Sequence, residues 1–277
     1  MAYTAEINRS NPTAFLFLID QSGSMEDKMS TGRSKAQQVA DVLNRTLTNL
    51  IVRCTKSDGV RDYFDIAVLS YGLNGVVNGF RGNLSTSIIH PISAIESSPL
   101  RIEERKKKED DGAGGIVEQN IKFPVWFEAH ANGGTPMCEA IRMAAEELAA
   151  WCDVHLDSYP PTVLHITDGE STDGDPEELA NQLTQIQTND GNVLMFNLHT
   201  STLGHNLIEF PSSETGLPDH FSKLLFRMSS ILPDHIIRYA QDRGVSVGLE
   251  ARGFIFNADA VQIADFLDIG TRAAQLR

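Results

Sequence analysis

The sequence has no apolar run approaching the length of a membrane-spanning helix, which argues against an integral membrane protein. It has three cysteines, Cys54, Cys138 and Cys152, odd in number and far apart. They fit free thiols in a reducing compartment better than a disulfide framework. The opening residues, MAYTAEINRSNPT, lack a basic segment followed by an apolar one, so the expected location is the cytoplasm. Positive charge is also scarce: 37 acidic side chains face 23 basic ones, a net charge of -14. A phosphate backbone would be repelled by that field, so no nucleic-acid partner is expected. The one basic run, RKKK at 105–108, is followed at once by Glu109, Asp110 and Asp111.

Several enzyme signatures are missing. There is no G-x-x-x-x-G-K-[ST] and no G-x-G-x-x-G after a strand. There is no G-x-S-x-G elbow. The eight histidines form no H-E-x-x-H. His165 and His199 fall in strand-like runs, and His130 precedes a glycine pair; packed or surface roles are expected for them. Cys138 and Cys152 are read as buried thiols with only Arg142 near enough to influence them.

What the sequence does contain is an alternation of apolar runs of strand length with segments of helical period. Residues 14–20, 64–71, 162–168, 192–200 and 253–259 read as strands. Gly72, Asn74 and Gly75 make a turn after the second of these, with VVNGF as its hairpin partner. Helices are expected over 33–52, from 137 past Trp151, from about 176, near 217–229 and 233–243, and after 260. Thr135 with Pro136, and Asp175 with Pro176 and Glu177, look like helix starts. The pattern predicts an α/β fold: a doubly wound, Rossmann-like, mostly parallel sheet flanked by helices. Residues 1–277 are expected to form one domain. It carries an exposed charged and glycine-rich excursion at about 97–121, partly helical or mobile, and a C-terminal strand–helix extension.

The first strand, FLFLID, ends on Asp20, and TVLHITD ends on Asp168. Ligands in such sheets bind at the carboxyl ends of the strands. A carboxylate at the rim of a dry core needs compensation, and no Lys or Arg lies within several residues of either aspartate. Ser22 and Ser24 alternate from Asp20, with Gly23 leaving room to turn, and Thr135 follows two glycines. Asp20, Ser22, Ser24, Thr135 and Asp168 are therefore the candidate metal ligands. An all-oxygen set suits Mg²⁺, with Mn²⁺ and Ca²⁺ as alternatives, and not zinc. The stretch DGESTDGDPEE fails as an EF-hand, because Asp173 stands at the glycine position.

The three segments DQSGS, GGTPM and ITDGE, in that order, resemble the metal-ion-dependent adhesion site of von Willebrand factor A (VWA) domains. The likeness extends over about residues 12–270. It implies that the two serines and the threonine bind Mg²⁺ directly, with the carboxylates acting through water. A protein partner would supply an Asp or Glu to the last coordination position. The segments RIEERKKKEDDGAGG, FPVWF and ARGFIFNADAVQIADFLDIGT are similar to bacterial cytosolic VWA proteins of the tellurium-resistance and stress-response group. That resemblance implies a scaffold or adaptor beside a Ser/Thr kinase and a PP2C-type phosphatase, and no enzymatic activity. A co-chaperone of an AAA+ ATPase and a Mg²⁺-dependent phosphohydrolase are the alternatives. The missing general base and phosphate-gripping cation weigh against the last.

Overall fold

The computed structural model describes residues 3–29, 31–110, 116–201 and 206–272. β1 (Thr13–Asp20) is buried along its whole length. Phe15, Phe17 and Ile19 face one layer of the core, while Ala14, Leu16 and Leu18 face the other. A strand covered on both faces reads as a continuous apolar run, and this one does. After it, α1 (Lys35–Cys54) starts at a capping box: Ser34 Oγ accepts from the Gln37 amide, and the Gln37 side chain accepts from the Ser34 amide. β2 (Thr55–Lys56) and β3 (Gly59–Val60) form a short hairpin that leads to β4 (Phe64–Gly72).

The predicted turn at 72–75 is present, and β5 (Gly75–Asn78) folds back antiparallel on β4. β6 (Ile89–Pro91) pairs with the start of β4 and runs into α2 (Ile92–Ser97). Beyond the excursion lie α3 (Met137–Val154) and β9 (Thr162–Thr167), then α4 (Glu177–Leu183). A second short hairpin, β10 (Gln187–Thr188) and β11 (Gly191–Asn192), precedes β12 (Leu194–Thr200). The chain closes with β13 (Ile208–Glu209), α5 (His220–Met228), α6 (Asp234–Asp242), β14 (Phe254–Ala258) and α7 (Ala260–Gly270).

The main sheet has eight strands in the order β13-β14-β12-β9-β1-β4-β5, with β6 also on β4. Its five central strands are parallel. Helices α1, α2, α6 and α7 cover one face, and α3, α4 and α5 cover the other. β1 leads through α1 to β4 on one side, while β9 lies on the other side. The winding thus reverses beside β1, which is where α/β sheets place their sites. The C-terminal strand and helix are integral: β14 pairs with β12, and α7 packs on α1.

The excursion at 97–121 differs from its reading as a partly helical or mobile segment. It forms most of a hairpin, β7 (Arg101–Asp110) against β8 (Ile116–Val125), with ten cross-strand pairs; residues 111–115 lie outside the described ones. Cross-strand pairing organises the charges that obscure it in sequence. Lys106 Nζ lies 2.9 Å from Glu118, and the Arg105 guanidinium sits 3.6 Å above the Phe123 ring. Pro124 is accommodated because β8 pairs only with β7 among the described residues. At the hairpin's base, Asn44 of α1 binds three backbone groups. Its Oδ1 accepts from the Trp126 and Phe127 amides, and its Nδ2 donates to the Phe127 carbonyl. This anchor fixes the chain as it enters the 128–135 loop at the sheet rim.

Candidate metal centre

β1 and β9 are hydrogen-bonded neighbours, with Ile19 opposite Ile166. Their ends therefore deliver Asp20 and Asp168 to one place. Asp20 is fully buried. Its Oδ1 accepts from the Ser22 amide at 2.7 Å, which bends the loop, and its Oδ2 accepts from Thr167 Oγ1 at 2.7 Å. Burial pushes its carboxyl up to about 6; the bonds from Ser22 and Thr167 oppose that, and the charge of Asp168 adds to it. Ser22 Oγ and Ser24 Oγ are 3.1 Å apart, and Ser24 Oγ donates to Asp168 Oδ1 at 2.7 Å. Four of the five predicted ligands thus form one hydrogen-bonded chain.

Thr135 arrives from the other side. Gly133 holds φ +82°, and a Cβ there would lie 2.4 Å from the Leu73 Cα. Only glycine lets this loop approach so closely. The Gly23 amide donates to the Gly133 carbonyl, and the Asn132 amide to the Gln21 carbonyl, locking the two loops together. The Thr135 amide donates to Thr172 Oγ1, and its carbonyl accepts from the Thr172 amide. A Cβ built on Gly169 would lie 3.7 Å from both Ser24 Oγ and Thr135 Oγ1. Both hydroxyls therefore border the same small space next to Asp168.

Thr135 does not cap α3, contrary to the helix-start reading. Asp173 does, accepting from the Cys138 and Glu139 amides at 3.0 and 2.9 Å. Those bonds lower its pKa despite partial burial. Asp173 is thereby spent on the helix, and Thr135 keeps its hydroxyl free of that task.

One participant escapes the sequence reading altogether. Lys35, the first residue of α1, is 4% exposed, and its Nζ lies 2.6 Å from Asp168 Oδ2. It also reaches the Ser24 carbonyl and Asp27 Oδ2, each at 3.4 Å. Asp168, though no Lys or Arg is near it in sequence, therefore has a cationic neighbour, a lysine 133 positions away. No local spacing signals it, because the contact depends on how α1 crosses the sheet.

Behind the rim runs a buried polar relay. Tyr71 bonds His165 Nε2 at 2.6 Å, and His165 Nδ1 meets Asn197 Oδ1 at 2.7 Å. The amide oxygen of Asn197 only accepts, so His165 carries its proton on Nδ1 and accepts from the tyrosine. Burial lowers its pKa to about 4, which keeps it neutral. His130 is exposed and borders a cleft of about 360 Å³ beside the rim, shared with Arg81 and Asn132. The three thiols are buried, and burial raises each; Cys54 and Cys152 reach about 12.

Among the described residues no three His, Cys, Asp or Glu side chains cluster as a metal site. A cation at this rim would therefore rest on two carboxylates and three hydroxyls. That donor set, and the small space around Gly169, fit a hard dication.

No protein-family model matches the sequence, and no curated protein matches it. Solved structures do resemble it. Proximal thread matrix protein 1 from mussel byssus is 12% identical, over 98% of this chain and 49% of that one, with a TM-score of 0.47. The pilus adhesin SpaC from Lactobacillus rhamnosus GG is 12% identical, over 93% and 30%, with a TM-score of 0.48. The manganese-loaded TRAP protein of Plasmodium vivax is 13% identical, over 93% and 72%, with a TM-score of 0.45. The chain spans about half of the first of these and under a third of the second. No helix among the described residues is long and apolar enough to cross a membrane.

Proposed function

We propose that this chain is a protein-binding module of the VWA type that uses a divalent cation at the β1–β9 rim. The convergence of Asp20, Ser22, Ser24, Thr135 and Asp168 at the point where the winding reverses supports that reading. Ser22, Ser24 and Thr135 would hold the ion, with Asp20 and Asp168 behind them. Bound there, Mg²⁺ or Mn²⁺ would attract a carboxylate from a partner. The chain's own part is to orient: Thr167 and the Ser22 amide fix Asp20, and the paired glycine loops fix Thr135.

The partner is then a protein presenting an Asp or Glu. A Ser/Thr kinase and a PP2C-type phosphatase are the first candidates, and an AAA+ ATPase comes next. A pull-down with and without chelator tests this, with Thr135→Ala as the control. Chelator-sensitive capture that is lost in the variant is expected. Equal recovery in every lane would reject the reading.

A phosphohydrolase is kept as the second reading because of Lys35, which provides the cation whose absence argued against it. Turnover of a generic phosphate ester with Mg²⁺ or Mn²⁺, abolished by Asp20→Ala, would favour it.

A further inference from the structure

Lys35 has no role in the binding scheme above, yet it is the most constrained cation at the rim. Its side chain is 5% exposed, Asp168's is 0% exposed, and they meet at 2.6 Å. Such a pair, withdrawn from solvent, holds both groups firmly. Asp168 Oδ1 is bound by Ser24 and Oδ2 by Lys35, so both oxygens of this carboxylate are in use. A dication entering beside Ser24 and Thr135 would face an ammonium across the same carboxylate. The two like charges cannot both stay there cheaply. Asp27 offers the lysine a second position. Its Oδ2 is already 3.4 Å from Nζ, and its side chain is 61% exposed.

We propose that Lys35 is a resident cation that competes with the divalent ion for Asp168 and withdraws to Asp27 when the ion binds. This rests on the metal-binding reading of the site and adds its regulation. Lys35 raises the ion concentration at which the rim becomes competent for a partner, and it keeps the ion-free rim ordered. Every part is built in: the lysine at the first position of a capped helix, the buried acceptor and the solvent-side acceptor.

The direct test is titration with Mn²⁺, with free ion read by electron paramagnetic resonance, on wild type, Lys35→Met, Thr135→Ala and Asp27→Asn. Lys35→Met should bind Mn²⁺ about tenfold or more tightly than wild type, the scale on which groups behind a ligand tune affinity. Without metal it should melt at a lower temperature, and Mn²⁺ should restore it. Asp27→Asn should weaken binding in wild type and change little in the Lys35→Met background. Equal affinity in wild type and Lys35→Met, with Thr135→Ala weaker, overturns the role of Lys35 and leaves the metal site standing. No Mn²⁺ bound by any of them overturns the metal site itself. Amine labelling of the unaltered protein, mapped by mass spectrometry, covers the case in which Lys35→Met does not fold. Lys35 should resist acetylation without metal and react once Mn²⁺ is bound. Unchanged labelling of a demonstrably Mn²⁺-loaded protein also overturns the proposal.

Discussion

The β1–β9 rim and the β7–β8 hairpin are both rich in charge, and they hold it in opposite ways. At the rim, few charges are kept in place by many fixed partners. Asp20 is enclosed by an amide and a hydroxyl, and Asp168 by a hydroxyl and an ammonium. On the hairpin, charges line the exposed positions of two strands, and Lys106 of one meets Glu118 of the other. Buried charge is costly unless it is paired, so each rim partner matters. Solvated charge is screened, so no single hairpin pair matters much. The comparison predicts a steep gradient in mutational effect from rim to hairpin.

The largest effect should come from Gly133→Ala. The residue has φ +82°, and its new Cβ would meet the Leu73 backbone at 2.4 Å. Backbone atoms cannot swing aside as a side chain can. A loss of about 2–4 kcal/mol in chemical denaturation is expected, combining left-handed strain with the shift of a loop. A loss below about 0.5 kcal/mol would show that the two rim loops are not locked together.

Next come Asp20 and His165, which act in opposite directions over one pH window. Asp20 titrates at about 6 when folded, against an ordinary 3.8. It contributes stability below pH 3.8, and that contribution is lost as pH rises through 6. His165 titrates at about 4 when folded, against 6.5. It contributes stability above pH 6.5, and that is lost as pH falls through 4. Each amounts to roughly 3 kcal/mol at one unit per 1.36 kcal/mol, as an order of magnitude. In metal-free protein the two contributions nearly cancel, leaving stability almost flat between pH 4 and 6.5 as far as these groups decide it. Asp20→Asn should leave a profile that rises with pH, and His165→Gln one that falls. Parallel profiles for wild type and both variants would mean that neither group is buried as described.

The rim residues also show what the sequence makes legible. Asp20 and Asp168 stand out because each closes a run of apolar residues buried on both faces, and the chemistry of that break is local. Thr135 is marked by its two glycines. Lys35 is invisible for the opposite reason, since its partner lies 133 positions away and only the crossing of α1 brings them together. Asp173 is similar: its acidic loop gives no hint that it caps α3. β8 is legible from KFPVWF at 122–127, where Phe123 and Val125 alternate and are buried, but β7 is hidden because its charged sequence shows no apolar alternation. Lys106 meets Glu118 across the ladder, a pairing that a reading along one strand does not reveal.

Thr135→Ala should separate binding from stability. The Thr135 backbone, through its amide and carbonyl, makes the bonds to Thr172, and these survive the substitution. Expected stability in metal-free protein is within about 1 kcal/mol of wild type, while Mn²⁺ affinity falls. A loss of fold with the metal effect would place the threonine hydroxyl in the scaffold instead.

The smallest effect should be on the hairpin, at Lys106 and Glu118. Their side chains are 70% and 47% exposed and meet at 2.9 Å. A double-mutant cycle to alanine should return a coupling of about 0.2–1 kcal/mol at low salt, shrinking toward zero at high salt. That the strands stay paired in the double variant is part of the expectation. The Arg105–Phe123 stack and the Asn44 anchor at the base remain, and neither depends on the exposed pair. A coupling above about 2 kcal/mol would exceed the range for exposed pairs. It would mean that the hairpin, like the rim, relies on individual charges, and the contrast between the two regions would be lost.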